Sequence, residues 1–329
     1  YILIFEFTDY TTYGITKPAF GAVHYSNVNW GSNTQIRIQS LNFSSSNNWS
    51  LSPNTLPNVI NGKQIVETYQ FPFIGVIKQK SYAKTILYGD SISSTDYTWY
   101  KDLMTNLIGG NVYNAGFSGY TTAQLAQNTQ LQRIFDFSPN LIIVLVGGND
   151  SGAAGTVGSL TNAIVDGETI VSETDINANY SGTYYIQAVS HIIRKLKSYY
   201  PNFRVLANLT GTETEAEKHT KLLTAKENVV DILFLSGLPQ QRNNSSGVYS
   251  LKENNERKRQ AVIACCKKYN VNYLDTFGEM NIDMSVEPFW VSPTDKTNNK
   301  GVLTMDGLHP NYFGYYKLCK LIYKSIREF

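Results

Sequence analysis

Thr85-Ile86-Leu87-Tyr88-Gly89-Asp90-Ser91 is an apolar run that stops on a small residue, an acid and a hydroxyl. The run reads as the first strand of a buried sheet, which puts Ser91 at that strand's carboxyl end. Gly-Asp-Ser alone is a common tripeptide. Whether Ser91 is a turn residue or a nucleophile depends on what the rest of the chain brings to it.

Downstream, strand-like and helix-like segments alternate. Tyr100, Leu103, Met104 and Leu107 share one helical face that Gly109-Gly110 closes, and Val112 to Asn114 is a short strand. That strand leads into the glycine-bearing turn Ala115-Gly116-Phe117-Ser118-Gly119-Tyr120, with a polar helix from Thr122. Leu141 to Val146 is continuously apolar, as a strand covered on both faces should be, and ends in Gly147-Gly148-Asn149-Asp150. Tyr185, Val189, Ile192, Ile193 and Leu196 mark a further helix closed by Pro201. Both Phe203 to Leu209 and Val229 to Leu235 look like strands, with a charged helical stretch between them. The second is favoured as the fourth sheet strand because it feeds directly into the helix faced by Ala261, Val262, Cys265, Cys266 and Tyr269. Val271 to Leu274 is the fifth strand, and Leu318, Leu321, Ile322 and Ser325 place a terminal helix. This alternation predicts an α/β domain with a parallel sheet covered on both faces.

Residues 1 to 80 read differently, as a β-rich accessory module ahead of the domain at 81–329. Ile2 to Phe7, Phe20 to His24, Thr34 to Ile38 and Ile65 to Tyr69 are short β-branched or aromatic runs between Gly, Asn, Ser and Pro, the pattern of a small β-sandwich or an edge module. Its Trp30, Trp49 and Tyr69 are candidates either for its own core or for stacking on sugar rings. A second irregular stretch, Ser151 to Gly182, is too long for an ordinary connection and reads as an insertion near the strand ends that shapes a cleft.

Composition limits the partners. Of 329 residues, 42% are hydrophobic and only 16% charged, which fits a folded chain rather than a polyelectrolyte. A net charge of +2 gives no reason to invoke nucleic acid or an anionic membrane. The one compact basic run, Arg257-Lys258-Arg259, reads as the solvated face of a helix. Leu141 to Val146, the longest apolar run, is far too short for membrane insertion. The chain opens at Tyr1, as a processed protein or an excised piece would. Cys265, Cys266 and Cys319 have no metal-like spacing and read as buried, unpaired thiols. A surface rich in Asn, Ser, Thr and 23 Tyr suits the handling of carbohydrate, and equally reflects an AT-rich genome. Glycosylation sequons at Asn42, Asn48, Asn208 and Asn244 are accidents expected of an Asn-rich chain.

Ligands of an open parallel sheet gather at the carboxyl ends of its strands. Gly89-Asp90-Ser91, Ser118-Gly119 and Gly148-Asn149-Asp150 all sit there, and Asp306-Gly307-Leu308-His309-Pro310 precedes the last helix, where a loop can fold over the same edge. Acyl transfer needs a nucleophile, a base, a group to orient the base, and donors for the oxyanion. Ser91 can be the nucleophile and His309 the base, since His24 lies in the β module and His191 and His219 lie within helices. Asp306 can hold the imidazole in the productive tautomer. The N–H groups of Ser91 and Gly119 and the amide of Asn149 are candidate oxyanion donors, Gly119 because it lets the backbone approach without a Cβ. Asp90 is expected to brace the loop. No cofactor or metal is called for, because no His, Asp or Cys cluster has ligand spacing.

These blocks resemble the SGNH or GDSL hydrolases, from about Lys84 to Phe329. Gly89-Asp90-Ser91 looks like that family's nucleophile block, Asn114 to Gly119 its glycine block, Gly147 to Asp150 its asparagine block, and Asp306 to Pro310 its Asp-x-x-His block. The resemblance implies a flavodoxin-like three-layer α/β/α fold with a five-stranded parallel sheet. It further implies Ser91, Asp306 and His309 as triad, and Ser91, Gly119 and Asn149 as oxyanion hole, with Gly116 the alternative to Gly119. The α/β-hydrolase elbow Gly-x-Ser-x-Gly is not matched, as Ser93 stands where its second glycine would be. Asn149 also begins the sequon Asn149-Asp150-Ser151, so a working site requires it unmodified.

The function expected is therefore a serine esterase. Its partner would be an acylated glycan or polysaccharide carrying small O-acetyl esters, at an extracellular, cell-surface or virion-associated location. A lipase, thioesterase or lysophospholipase is the rival among enzymes, and a glycan-binding adhesin or phage tail component the rival outside them.

Overall fold

The computed structural model describes residues 80–329 except 154, 241–250, 283–301 and 328–329, with backbone alone at 203–204 and 251–254 and in the short strands before residue 80. The chain forms two compact units, Tyr1–Gln79 and Lys80–Phe329. In the first, β1 (Ile2–Phe5) pairs with β8 (Ile74–Ile77), β2 (Asn27–Trp30) with β3 (Thr34–Arg37), β4 (Leu41–Phe43) with β5 (Trp49–Leu51), and β6 (Val59–Ile60) with β7 (Lys63–Gln64). All four pairings are antiparallel. The expected strands Phe20 to His24 and Ile65 to Tyr69, and the side chains of Trp30, Trp49 and Tyr69, lie outside the described residues.

The second unit carries β9 (Lys84–Gly89), a 3-10 turn (Ser91–Ser93), α1 (Thr98–Ile108), β10 (Asn111–Gly116), α2 (Thr122–Leu125), α3 (Asn128–Phe137) and β11 (Leu141–Leu145). After it come β12 (Ser159–Leu160), β13 (Ile170–Val171), α4 (Tyr185–Tyr199), α5 (Phe203–Ala207), α6 (Glu215–Asn228) and β14 (Asp231–Leu235). The chain ends through α7 (Leu251–Tyr269), β15 (Asn272–Leu274), α8 (Thr276–Glu279) and α9 (Tyr312–Ile326). Five parallel strands run in the order β10-β9-β11-β14-β15.

Successive side chains of a strand face opposite sides, and the apolar runs use both. Ile86, Tyr88, Ile142, Val144 and Phe234 join a core with Leu131 and Ile134 of α3, Val189 and Ile193 of α4, and Ala261 and Cys265 of α7. Leu87, Ile143, Leu145, Leu233 and Leu235 face the other way, onto Tyr100 and Met104 of α1 and Tyr315, Leu318 and Cys319 of α9. The result is the three-layer α/β/α fold, with β11 buried along its whole length. Each fully buried Leu or Ile contributes roughly 1.5–3 kcal/mol, so two such faces fix the register firmly.

Register brings the loops that follow these strands level. Gly116 and Leu145 both stand opposite Gly89, and Leu235 stands opposite Leu145. Gly89 has to be glycine, since a Cβ there would lie 2.0 Å from the Leu145 carbonyl oxygen.

Two expectations change. Phe203 to Leu209 is not a strand: Phe203–Ala207 is helical, with Val205 62% and Leu209 40% exposed. β14 already fills the place beside β11, and strand propensity counts only where a pleated, half-buried surface receives it. Arg257-Lys258-Arg259 is not a solvated face either. Consecutive helix positions point about 100° apart, and the three cations reach Glu168, main-chain carbonyls near residue 148, and Asp275 respectively. The insertion after Asp150, besides forming the β12–β13 ladder, buries Val157, Leu160, Val165 and Tyr180 in the α4 side of the core. Cys265, Cys266 and Cys319 are buried free thiols, held protonated by that burial.

Candidate active site

Ser91 opens the 3-10 turn directly after β9. Asp90 caps the turn: one carboxylate oxygen accepts from Ile92 N at 3.1 Å, and the other accepts from Gly148 N at 2.8 Å. Its carboxyl is fully buried, and the loss of water pushes its pKa up while those two N–H donors pull it back. Thus Asp90 braces the Ser91 turn against the loop after β11. From α9, the Tyr315 hydroxyl donates to Ile92 O at 2.8 Å and fixes the turn from the opposite layer.

His309 is presented by a closed loop. Met305 N donates to His309 O at 2.8 Å, Asn311 N donates to Leu303 O at 2.9 Å, and Thr304 bridges Pro310. Inside it, one Asp306 oxygen accepts from Leu308 N at 3.0 Å and His309 N at 2.7 Å, and the other lies 2.7 Å from His309 Nδ1. With Nδ1–H facing a carboxylate, Nε2 is left as the acceptor, and it lies 2.8 Å from Ser91 Oγ. Burial alone would raise the Asp306 carboxyl; the bonds from the His309 ring and from two backbone N–H groups outweigh it and hold the group below its ordinary value. The Tyr97 ring covers the imidazole at 5.1 Å between centroids. Burial, with the charges of Asp306 and Asp96 adding to it, pushes the Tyr97 phenol up to about 12, so it stays neutral.

The remaining blocks are stitched to one another. Asn149 Nδ2 donates to Tyr120 O at 3.0 Å, joining the asparagine block to the residue after Gly119. The Asp150 carboxylate accepts from Thr122 N at 2.9 Å and Thr122 Oγ1 at 2.8 Å, at the start of α2. Ser118 Oγ donates to Asp96 at 2.6 Å, and Asn114 Nδ2 to Ser94 O at 3.0 Å, so β10 and its loop are tied to the Ser91 turn.

The two glycines differ in what they do. Gly119 has φ +81°, and a Cβ there would meet nothing within 4 Å, so conformation rather than room requires glycine. Gly116 is the close-packed one: its Cβ would lie 2.2 to 2.4 Å from backbone atoms of Ser93, Ser94 and Asp90. Sequence reasoning missed Tyr97 and Lys258, and placed Asp150 in its block without a role of its own. Tyr97 carried no signal, and Lys258 was visible only as a charge.

A hydroxyl, an imidazole and a carboxylate in series at the carboxyl edge of a parallel sheet form the arrangement by which serine hydrolases attack acyl groups. Residues 87–317 match the GDSL-like lipase/acylhydrolase family, and the chain belongs to that family of ester hydrolases. No curated protein matches significantly. Among solved structures, the chain is similar to a protein from Lactobacillus plantarum at 17% identity and TM-score 0.47, over 74% of this chain and 96% of that one. A lipase/acylhydrolase from Enterococcus faecalis is similar at 17% identity and TM-score 0.37, over 74% and 95%. A variant of an acetyl-xylooligosaccharide esterase from Geobacillus Stearmophilus is similar at 15% identity and TM-score 0.40, over 76% and 96%. Among the described residues no group of three or more His, Cys, Asp or Glu could hold a metal ion, and no helix is long and apolar enough to cross a membrane.

Proposed function

We propose that the protein is a serine esterase that removes small acyl groups, chiefly O-acetyl, from a polysaccharide or glycan. The observation that carries this reading is the series Ser91 Oγ, His309 and Asp306, with contacts of 2.8 and 2.7 Å. Ser91 attacks the ester carbonyl as His309 Nε2 takes its proton, and Asp306 stabilises the imidazolium that forms. The tetrahedral oxyanion is held by the N–H groups of Ser91 and Gly119 and the amide of Asn149. Collapse breaks the ester C–O bond, His309 returns the proton to the departing sugar oxygen, and water then hydrolyses the acyl-serine by the same relay.

Polar groups beside the nucleophile turn, among them Asp96, Ser118 and Asn149, support a sugar-bearing substrate over a long lipid chain. The polar, weakly charged composition agrees, and supports a site of action outside the cell or at a cell or virion surface. The test is an acyl-chain series on p-nitrophenyl esters, paired with acetate release from O-acetylated polysaccharides. Activity should fall sharply beyond a few carbons, and acetate should appear. Efficient cleavage of long acyl esters with no acetate released would instead assign a lipase- or thioesterase-type activity. Ser91→Ala should lower kcat by at least ~10³-fold while glycan affinity stays. A wild-type chain that binds glycan without turnover would make it a glycan-binding surface component.

A further inference from the structure

We propose that Lys258 is a positioning residue for the oxyanion donor, setting the turn that carries Asn149; the proposal rests on the esterase reading above. Lys258 belongs to α7, more than a hundred positions away in sequence, and is only 7% exposed. Its ammonium donates to Gly147 O at 2.6 Å and to Asp150 O at 3.1 Å, the two carbonyls that bracket Gly148 and Asn149.

The turn needs such a group. Gly147 adopts φ +105°, a region an L side chain rarely enters, and a Cβ there would lie 2.7 Å from the Tyr185 hydroxyl oxygen. The turn's own closing bond, from Asp150 N to Gly147 O, is long at 3.4 Å. Two carbonyl dipoles converging on one buried point repel each other, and a cation with several donors between them reverses that repulsion. Its neighbours differ in their partners: Arg257 faces Glu168 and Arg259 faces Asp275, both carboxylates, whereas Lys258 reaches the main chain of the site.

Other attachments hold the turn as well: Gly148 N is held by Asp90, the Asp150 carboxylate by Thr122, and the Asn149 amide by Tyr120 O. Lys258 sets how far the carbonyls on either side of Asn149 are drawn toward α7, and so the direction in which the Asn149 amide leaves the backbone. An amide displaced by a fraction of an ångström still forms the fold but no longer meets the developing oxyanion.

The experiment is a double-mutant cycle in the full chain, with p-nitrophenyl acetate as substrate. Variants are Lys258→Met, Lys258→Arg, Asn149→Ala and the Lys258→Met/Asn149→Ala pair. Lys258→Met should lower kcat about 30- to 100-fold with KM changed less than about threefold, because the lost contact acts in the transition state. In the Asn149→Ala background the same change should cost less than about threefold, since the donor it positions is already gone. Lys258→Arg, which keeps a cationic donor, should recover part of the lost kcat. Equal losses in both backgrounds, or a change confined to KM, would overturn the proposal. Should Lys258→Met not fold, the decision falls to the neutral donor Lys258→Gln, alone and paired with Asn149→Ala: wild-type kcat in the folded single variant, or an equal loss in both backgrounds, also overturns it. A wild-type chain lacking Ser91-dependent turnover would overturn the esterase reading itself, a distinct result because no variant would then need comparison.

Discussion

At Gly116 an added Cβ would meet the Ser93 carbonyl carbon at 2.2 Å, Ser94 N at 2.3 Å and Asp90 O at 2.4 Å. Backbone atoms cannot swing aside as a side chain can, so Gly116→Ala must displace the turn bearing Ser91. The substitution should cost about 2–3 kcal/mol in urea unfolding and most of the activity. Gly119→Ala meets no neighbour and bears only the strain of φ +81°, so it should cost about 1–2 kcal/mol. Equal costs at the two positions would refute this division. Neither difference is visible in the sequence, which shows two glycines in one turn but neither their dihedral angles nor what lies across from them. That Ser91, Asp306 and His309 would meet was legible, because a reading for acyl transfer asks for those residue types, each beside a strand end or in the last loop. Lys258 was not, because a run of basic residues looks alike whether it faces water or carbonyls.

On the scale of elements, α7 and the segment after β15 are joined by a fork. Arg259 Nε and Nη2 lie 2.8 and 2.5 Å from the two Asp275 oxygens, and Ser236 Oγ donates to the same carboxylate at 2.8 Å. The Arg259 bonds, chiefly, hold the Asp275 carboxyl below the usual carboxylate range. A folded value below the unfolded one means that this stabilisation is complete above the ordinary range and disappears as pH falls through the depressed value. The pair is about a quarter exposed, so solvent screening limits its worth. Asp275→Asn should destabilise by about 1 kcal/mol near neutral pH, with the gap to wild type closing in acid. A gap that stayed constant with pH would contradict the ionic account. Strands and long helices were readable from apolar runs and helical spacing, as in Leu141–Leu145 and Tyr185–Tyr199. The five-residue helix at Phe203–Ala207 was not, because so short a segment carries β-branched and apolar residues without a period to decide between strand and helix.

For the molecule as a whole, every residue assigned to the site falls within the unit Lys80–Phe329. Its first residues are already tied to the sheet, since Lys80 Nζ and the Tyr82 hydroxyl both lie 2.8 Å from Asp231. A chain begun at Lys80 should therefore fold and turn over p-nitrophenyl acetate at the full-length rate, and loss of folding would show that the first unit is needed for stability. The parallel order of the sheet was legible because strands and helices alternate after residue 84, whereas the preceding residues offered only short β-prone runs with no period long enough to define their packing. The central claim, that Ser91 is a nucleophile activated by His309, is tested most directly by covalent capture with a fluorophosphonate probe, read by intact mass and peptide mapping. The expected result is one adduct per chain, on Ser91, absent from Ser91→Ala and strongly slowed in His309→Ala. An unmodified chain, or an adduct on another serine with Ser91 untouched, would contradict it.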